Sequence, residues 1–142
     1  MGQRNYLIEG VSGTGKTTLC DALNARGHHA VHGDRVLARK GDPKTSQPVA
    51  EPQHASLRDS AMWRHSHHVW DVSKIRHLAA DRTKPCTFFC GGARNHAQFL
   101  DVMDAVFILT VDVQTLTRRL SKRGNDEFGG HAWERDIVLH LH

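Results

Sequence analysis

The sequence predicts an α/β protein with a parallel sheet covered by helices on both faces. Short apolar runs alternate with amphipathic stretches along the chain, which is typical of β-α units. One apolar run, residues 105–111, is almost unbroken, as expected of a strand covered on both faces. A glycine-rich turn at residues 10–15 joins the first apolar run to the first amphipathic stretch. The length of 142 residues suits one domain, residues 1–142.

Four strands are predicted from the apolar runs. They are residues 6–9, 29–32, 87–90 and 105–111. Cys86 and Cys90 are expected to lie in one strand, which would hold their Cα atoms about 13 Å apart at roughly 3.3 Å per residue, too far for a disulfide. With Cys20 the chain has three cysteines, an odd number. We therefore expect all three to be reduced, as is usual in the cytosol.

Helices are predicted where apolar residues recur at a spacing of three or four. They cover residues 16–25, a segment that begins near Asp71, residues 95–103, and a segment that begins near Asp112. Gly27 follows the first helix, in the position where glycine commonly ends one. Asp71 and Asp112 are good N-caps. The last helix is expected to bury Val113, Leu116 and Leu120.

Composition excludes several classes of protein. Hydrophobic residues make up 39% and charged residues 24%, as in an ordinary globular domain. The net charge of +4 is spread along the chain without a basic stripe and interleaved aromatics, so we expect no nucleic-acid partner. No apolar run reaches the roughly 18 residues of a membrane span, and residues 1–9 have no signal-peptide pattern. We therefore expect a cytoplasmic protein with no membrane partner.

The strongest chemical signal is the sequence Gly-Val-Ser-Gly-Thr-Gly-Lys-Thr at residues 10–17. It matches the Walker A pattern GxxxxGK[ST] and lies between a predicted strand and a predicted helix, the setting that this motif requires. Glycines let the backbone amides turn towards phosphate oxygens, and the helix N-terminus adds its positive dipole end. The alternative is a plain glycine-rich turn. The predicted ligand is ATP with Mg²⁺.

Each residue type in the motif has a role in that chemistry. Lys16 reaches the β and γ phosphates, and the Thr17 hydroxyl binds Mg²⁺. The residues expected to bind ATP are Gly10, Val11, Ser12, Gly13, Thr14, Gly15, Lys16, Thr17 and Thr18.

Two further features carry a family resemblance. Gly33-Asp34-Arg35 follows the second predicted strand, and Gly91-Gly92 follows the third. With the Walker A motif, they make the chain similar to the shikimate kinase, gluconate kinase and nucleoside monophosphate kinase group. It resembles more closely the short bacterial ATP-binding proteins often labelled nucleoside kinases. The matching segments are residues 8–17, 32–35, 88–95 and 126–130.

The resemblance implies a three-layer α/β/α P-loop NTPase fold. Proteins of the group have the sheet order 2-3-1-4-5, with the substrate between an excursion and a mobile lid. In this chain these correspond to a substrate-binding excursion at residues 33–70 and a lid at residues 124–133. The group continues past the lid with a fifth strand, an adenine-supporting loop and a helix. The sequence runs to His142, so we expect the order 2-3-1-4 without the fifth strand.

The resemblance also implies roles for individual residues. Asp34 either accepts the proton of the acceptor hydroxyl or helps to hold Mg²⁺ through water. Arg119 and Arg123 lie four apart on one helix face and cover the phosphates, so they join Lys16 and Asp34 as catalytic candidates. The residues expected to bind substrate are Asp34, Arg35, Gly91, Gly92 and Arg94. The alternatives are solvated turns and an ordinary basic helix face.

Other candidates are weaker. His65 and His68, at a spacing of three, would share a helix face and suggest a metal site with His67, but no cysteine or acidic partner stands at ligand spacing. Trp63 and Trp70 are expected to be packing residues more often than a substrate platform. Asp112 is interpreted as a helix cap, so the chain lacks a conventional Walker B site.

These features favour an ATP-dependent phosphotransferase. Its acceptor would be the hydroxyl of a small molecule such as a nucleoside, a sugar acid or an antibiotic-like alcohol. The protein is expected to be a monomer or homodimer. The competing hypothesis is a module that senses ATP or hydrolyses it slowly, and a nucleic-acid-binding protein is a third.

Overall fold

The structure is a computed structural model that describes residues 4–123 and 131–141. The strands are β1 (Arg4–Glu9), β2 (His29–His32), β3 (Ala38–Lys40), β4 (His68–Trp70), β5 (Cys86–Cys90) and β6 (Ala105–Ile108). The helices are α1 (Lys16–Ala25), α2 (Gly33–Val36), α3 (Leu57–Ser66), α4 (Val72–Ala79), α5 (Val113–Ser121) and α6 (Ala132–Leu141).

Four of the strands form a parallel sheet in the order β2-β5-β1-β6. They are the four predicted strands in chain order, so the predicted order 2-3-1-4 is confirmed. Ile8 of β1 and His32 of β2 both lie opposite Cys90 of β5. Because the strands run in one direction, their carboxyl ends meet at one edge of the sheet. The loops that follow β1, β2 and β5 therefore gather there.

Neighbouring residues of the central strands pack into opposite layers. Leu7 and Phe89 belong to a core that includes Val31, Leu37, Trp70, Ile75, Ala93 and Phe99. Ile8 and Cys90 belong to a second core with Cys20 and Ala30. Side chains alternate across a strand, so each strand supplies both cores, with α4 on one side and α1 on the other. This arrangement confirms the predicted three-layer α/β/α fold.

Three predicted helices begin or end where the sequence indicates. Gly27 follows α1 with a φ of 84°, in the left-handed region that suits glycine. The side chain of Asp71 accepts a hydrogen bond from the Lys74 amide, and that of Asp112 accepts one from the Thr115 amide at 2.8 Å. Asp112 is therefore a helix cap, as predicted.

The burial predicted for α5 was partly wrong. Leu116 and Leu120 are fully buried, but Val113 is 60% exposed. Val113 is the first residue of the helix. Its side chain therefore lies before the stretch that packs against α6 through Val138.

The predicted helix at residues 95–103 was wrong. The segment forms two short 3₁₀ turns, His96–Gln98 and Leu100–Val102. Asn95 is buried and its amide bonds both backbone groups of Trp70. Phe99, also buried, stacks on the Trp70 ring with centroids 5.6 Å apart. These two anchors hold the chain close to β4, and tertiary contacts prevail over the helical pattern.

The fourth predicted strand is shorter and more exposed than expected. β6 ends at Ile108, and in the described part of the chain it pairs with β1 alone. Val106, Phe107 and Ile108 are 42%, 51% and 60% exposed. The expectation of a strand covered on both faces was therefore wrong for β6, since an unbroken apolar run does not reveal whether a strand lies at an edge.

Residues 33–53, the first part of the predicted excursion, contain α2 and β3. β3 pairs with β4 in an antiparallel two-stranded sheet, with Ala38 opposite Trp70. α6 was not predicted, and α3 was expected only as a helix that would contain both His65 and His68. Ser56 and Asp59 match the Ser-x-x-Asp capping pattern, and the Ser56 hydroxyl accepts a hydrogen bond from the Asp59 amide at 3.1 Å. The role of residues 33–70 in substrate binding stays a prediction.

Four simple observations complete the description of residues 4–123 and 131–141. No helix in these ranges is long and apolar enough to cross a membrane. Cys20, Cys86 and Cys90 are free thiols, as predicted. No group of three or more histidine, cysteine or acidic side chains is arranged to hold a metal ion. His65 lies in α3 whereas His68 lies in β4, so the expectation of a shared helix face was wrong.

Candidate active site

The Walker A residues form a tight turn between β1 and α1. Gly15 is the N-cap of α1 with a φ of 101°, a conformation that side-chain-bearing residues rarely adopt. No side chain caps this ten-residue helix. The amides of its first turn have no intrahelical partner and add to the positive end of the helix dipole. The turn is therefore well suited to bind an anion, phosphate above all.

Lys16 folds over the same turn. Its ammonium group donates hydrogen bonds to the carbonyl oxygens of Gly10 and Val11, the latter at 3.0 Å. Burial lowers the pKa of Lys16, as do the charges of Arg123 and Arg94, while Asp34 and Glu9 act in the opposite direction. A partly buried cation held by two neutral carbonyls would gain strongly from a phosphate oxygen.

A cavity of about 730 Å³ opens beside this turn, at the carboxyl edge of the sheet. Glu9, Gly10, Val11, Ser12 and Lys16 line one wall. The opposite wall comes from α2, α3, β4 and the loop after β5, and contains Asp34, Leu57, Ala61, Arg64, His65, His68, Gly92 and Arg94. The end of β6, the residue that follows it and α6 contribute mainly apolar side chains, including Ile108, Leu109, Trp133, Val138 and Leu141. The volume is typical of a small-molecule site.

Asp34 lies in α2, directly after β2, and faces this cavity. Its Oδ1 atom accepts hydrogen bonds from His68 Nε2 at 2.8 Å and from Trp70 Nε1 at 3.3 Å. Partial burial acts to raise the pKa of Asp34, but the hydrogen bonds from His68 and Trp70 and the charge of Lys16 outweigh it and lower the pKa. Asp34 is therefore a carboxylate at neutral pH.

Two glycines make room for the Trp70 ring that supports Asp34. A Cβ atom on Gly33 would lie 2.1 Å from Trp70 Cζ2, and one on Gly91 would lie 2.7 Å from the same atom. Gly91 is buried, whereas Gly92 lines the cavity. Gly91, which we expected to bind substrate, thus lies against a buried tryptophan, and its role in substrate binding stays a prediction.

Basic side chains lie on the wall of the cavity that contains Asp34. Arg94 and Arg64 line it, and Arg64 Nε donates a hydrogen bond to Glu51 at 2.9 Å. Burial lowers the pKa of His65, helped by the charges of Arg94 and His68, which favours a neutral imidazole. The wall therefore combines fixed positive charge with one imidazole that is mainly neutral at pH 7.

The α5 arginines lie on the other side of the Walker A turn. Arg119 Nη1 donates a hydrogen bond to the Gly13 carbonyl at 3.1 Å. Arg123 is close enough to Lys16 to lower its pKa. Both side chains are therefore near the expected position of the phosphates. The lid motif at residues 126–130 lies outside the described residues.

The remaining predicted residues fall into two groups. Thr17 and Thr18 are exposed at the start of α1, and the buried Thr14 hydroxyl donates a hydrogen bond to the Val11 carbonyl at 2.8 Å. Arg35 is exposed and is absent from the described lining of the cavity. Its role in substrate binding stays a prediction.

Sequence reasoning missed Glu9 and His68 as residues of the site. Glu9 ends β1, and its carboxylate affects the pKa of Lys16. His68 and Trp70 alternate with the buried Val69, a strand pattern that the nearby histidines concealed. This alternation spans only three residues, too few to predict β4 from the sequence.

The fold and the phosphate-binding turn define a P-loop NTPase domain. The chain belongs to the AAA_18 family, whose description is AAA domain, with a match over residues 7–131. No protein with a curated description matches it.

Two solved structures are similar to this chain. One is an unliganded sugar kinase from Janibacter sp. HTCC2649, with a TM-score of 0.52 and 19% identity over 97% of this chain and 76% of that chain. The other is a gluconokinase from Sinorhizobium meliloti 1021, with a TM-score of 0.49 and 17% identity over 96% of this chain and 73% of that chain. At this identity the sugar kinase supports the fold alone.

Proposed function

We propose that this P-loop domain transfers the γ-phosphoryl group of ATP to a hydroxyl of a small molecule. The observation that carries the proposal is a carboxylate, Asp34, in the same cavity as Lys16 and the Walker A turn. A nucleotide-binding turn needs no such group to bind ATP. A transferase needs a group that orients the acceptor oxygen towards the γ phosphorus.

Each residue contributes to positioning or charge neutralisation. The Walker A amides and Lys16 bind the phosphates, and Arg119 and Arg123 balance the negative charge that develops on the transferred group. The acceptor oxygen bonds to the γ phosphorus as the bond to the bridging oxygen breaks and ADP leaves. The hydroxyl proton passes to Asp34, whose low pKa suits it to orienting the hydroxyl more than to strong base catalysis.

The oxygen donors available in the site fit magnesium. Mg²⁺ prefers hard oxygen ligands and keeps several waters. The exposed Thr17 hydroxyl at the start of α1 would hold it directly, and the Asp34 carboxylate would hold it through water. When bound, the ion neutralises charge on the β and γ phosphates.

The sugar kinase named above makes a sugar a reasonable acceptor to test first, beside the sugar acids and nucleosides expected from the sequence. We further propose that the protein acts on this acceptor in the cytoplasm as a monomer or homodimer, without a nucleic-acid partner.

A coupled assay of ADP release with a panel of nucleosides, sugar acids and hydroxylated antibiotics tests the proposal. We expect magnesium-dependent release that at least one acceptor stimulates. Asp34→Asn should abolish the stimulation and leave ATP binding intact, and Asp136→Asn, at an exposed position of α6, should change neither. Equal release with and without every acceptor would instead indicate a slow ATPase or an ATP sensor.

A further inference from the structure

Two side chains of β4 converge on one oxygen of Asp34. His68 Nε2 and Trp70 Nε1 lie 2.8 and 3.3 Å from Oδ1. Because residues two apart on a strand point the same way, both rings face Asp34 while the buried Val69 points to the other side. No described residue donates a hydrogen bond to Oδ2 of Asp34, so this oxygen is available to the cavity.

The strand that supplies these donors is itself held firmly. The Arg94 amide donates a hydrogen bond to the His68 carbonyl at 2.8 Å. Asn95 Oδ1 accepts from the Trp70 amide at 3.0 Å, and Asn95 Nδ2 donates to the Trp70 carbonyl at 2.9 Å. Asn95 is 1% exposed, so solvent does not compete for these bonds. β4 is thus fixed to the loop that lines the cavity beyond β5.

This geometry gives the carboxylate one defined orientation. A free aspartate side chain turns about two bonds, and either oxygen can face the cavity. Two donors on Oδ1 remove that freedom. The Trp70 ring is also packed between Gly33 and Gly91, so its N–H group has little room to move.

We propose that His68 and Trp70 are positioning residues that hold Oδ1 of Asp34 and thereby present Oδ2 to the acceptor hydroxyl. The inference rests on the proposed phosphotransferase function, in which Asp34 touches the acceptor. His68 acts through Asp34 and need not touch the substrate. Misplacing a reacting group by about 1 Å costs roughly 100-fold in rate.

Kinetics of two substitutions at His68 test this role. His68→Leu should lower kcat by about 10- to 100-fold and leave the Kd for ATP within about twofold. His68→Gln should retain most of kcat, because its amide N–H can reach the same oxygen. His77→Leu, at an exposed position of α4, is the matched control and should have no effect.

A double-substitution cycle separates positioning from a merely structural contribution. In the Asp34→Asn background, His68→Leu should lower kcat little further, because the group that it positions is already disabled. Unchanged kcat in His68→Leu, equal losses in His68→Leu and His68→Gln, or additive losses with Asp34→Asn would each overturn the proposal.

A spectroscopic measurement tests the hydrogen bond without turnover. Trp70→Phe assigns the Trp70 indole N–H signal in ¹H–¹⁵N spectra of the nucleotide-free protein. Asp34→Ala should then move this signal upfield and leave those of Trp63 and Trp133 in place. An unmoved signal would overturn the proposal. If wild-type protein phosphorylates no acceptor, the proposed function fails and the positioning role fails with it, whereas this measurement still decides whether Trp70 holds Asp34.

Discussion

The two walls of the cavity are built in different ways. The nucleotide wall, which we propose to bind ATP, is one continuous turn, residues 10–17, in which most hydrogen-bond donors are backbone amides. The acceptor wall, which we propose to hold the acceptor, joins Asp34 and His68 from distant segments through a side-chain hydrogen bond, and Asn95 supports it from behind by bonding Trp70. A wall made of backbone depends on glycine and one lysine, whereas a wall made of side chains depends on many partners at once. The two walls should therefore respond differently to substitution.

The largest expected effect is on the chemistry of the acceptor wall. Asp34→Asn keeps the shape of the side chain but removes its charge, and should lower kcat by about 10²- to 10⁴-fold. The Kd for ATP should stay within about twofold, since the nucleotide wall is untouched. Steady-state kinetics with an acceptor, together with a nucleotide titration, measure both. A parallel loss of ATP affinity would show that the two walls are not separable.

The next effect is on the packing behind Asp34. Gly33→Ala places a methyl group 2.1 Å from Trp70 Cζ2, and the buried ring has little room to shift. The free energy of unfolding should fall by about 3 kcal/mol or more. Gly92→Ala is the matched control, because its Cβ would meet Glu9 Oε1 at an ordinary 3.4 Å. Equal free energies of unfolding for the two variants, measured by urea denaturation, would contradict this packing of Trp70 against Gly33.

Loss of the hydrogen bonds between Asn95 and β4 should have a smaller effect on stability. Asn95→Ala leaves the backbone amide and carbonyl of Trp70 without their side-chain partners, and should lower the free energy of unfolding by about 2 kcal/mol. Gln53→Ala, at an exposed position, should change it little. Coincident urea unfolding curves for Asn95→Ala and Gln53→Ala would contradict this prediction and show that water replaces Asn95 without cost.

The smallest effect concerns Glu51, which bonds Arg64 of the acceptor wall. Hydrogen bonds from Lys40, Ser60 and Arg64 lower the pKa of Glu51 from 4.5 to about 2. Since the folded-state pKa is depressed, the stability that Glu51 contributes is full above pH 4.5 and is lost as the pH falls towards 2. Glu51→Gln should flatten the pH dependence of the thermal midpoint over that interval. An identical slope in both proteins would contradict this assignment.

The difference between a wall built from one continuous turn and a wall built from distant segments also explains which parts of the structure were predictable. The Walker A motif has a fixed spacing and a fixed setting, so β1, α1 and Lys16 follow from a short stretch of sequence. The order of the sheet follows from the family resemblance, which that motif anchors. The caps Asp71 and Asp112 were local as well, since each accepts a hydrogen bond from an amide three residues later.

The rest depends on contacts between distant residues. Residues 95–103 have a helical pattern, but the bonds of Asn95 to Trp70 replace the helix with short turns. β4 spans three residues, too few for a periodic signal. The pairing of His68 with Asp34 joins positions 34 residues apart, and nothing local to either one indicates it. The sequence does not predict the exposed apolar face of β6 either, because edge strands and central strands differ only in their neighbours.

Titration with a fluorescent ATP analogue and Mg²⁺ tests the central claim most directly, namely that the turn at residues 10–17 binds a nucleotide through Lys16. We predict saturable, magnesium-dependent binding that Lys16→Ala weakens by about 10- to 100-fold. Lys84→Ala, at an exposed position before β5, should bind as the wild type does. Binding that is absent from the wild type, or equally strong in Lys16→Ala, would contradict the account.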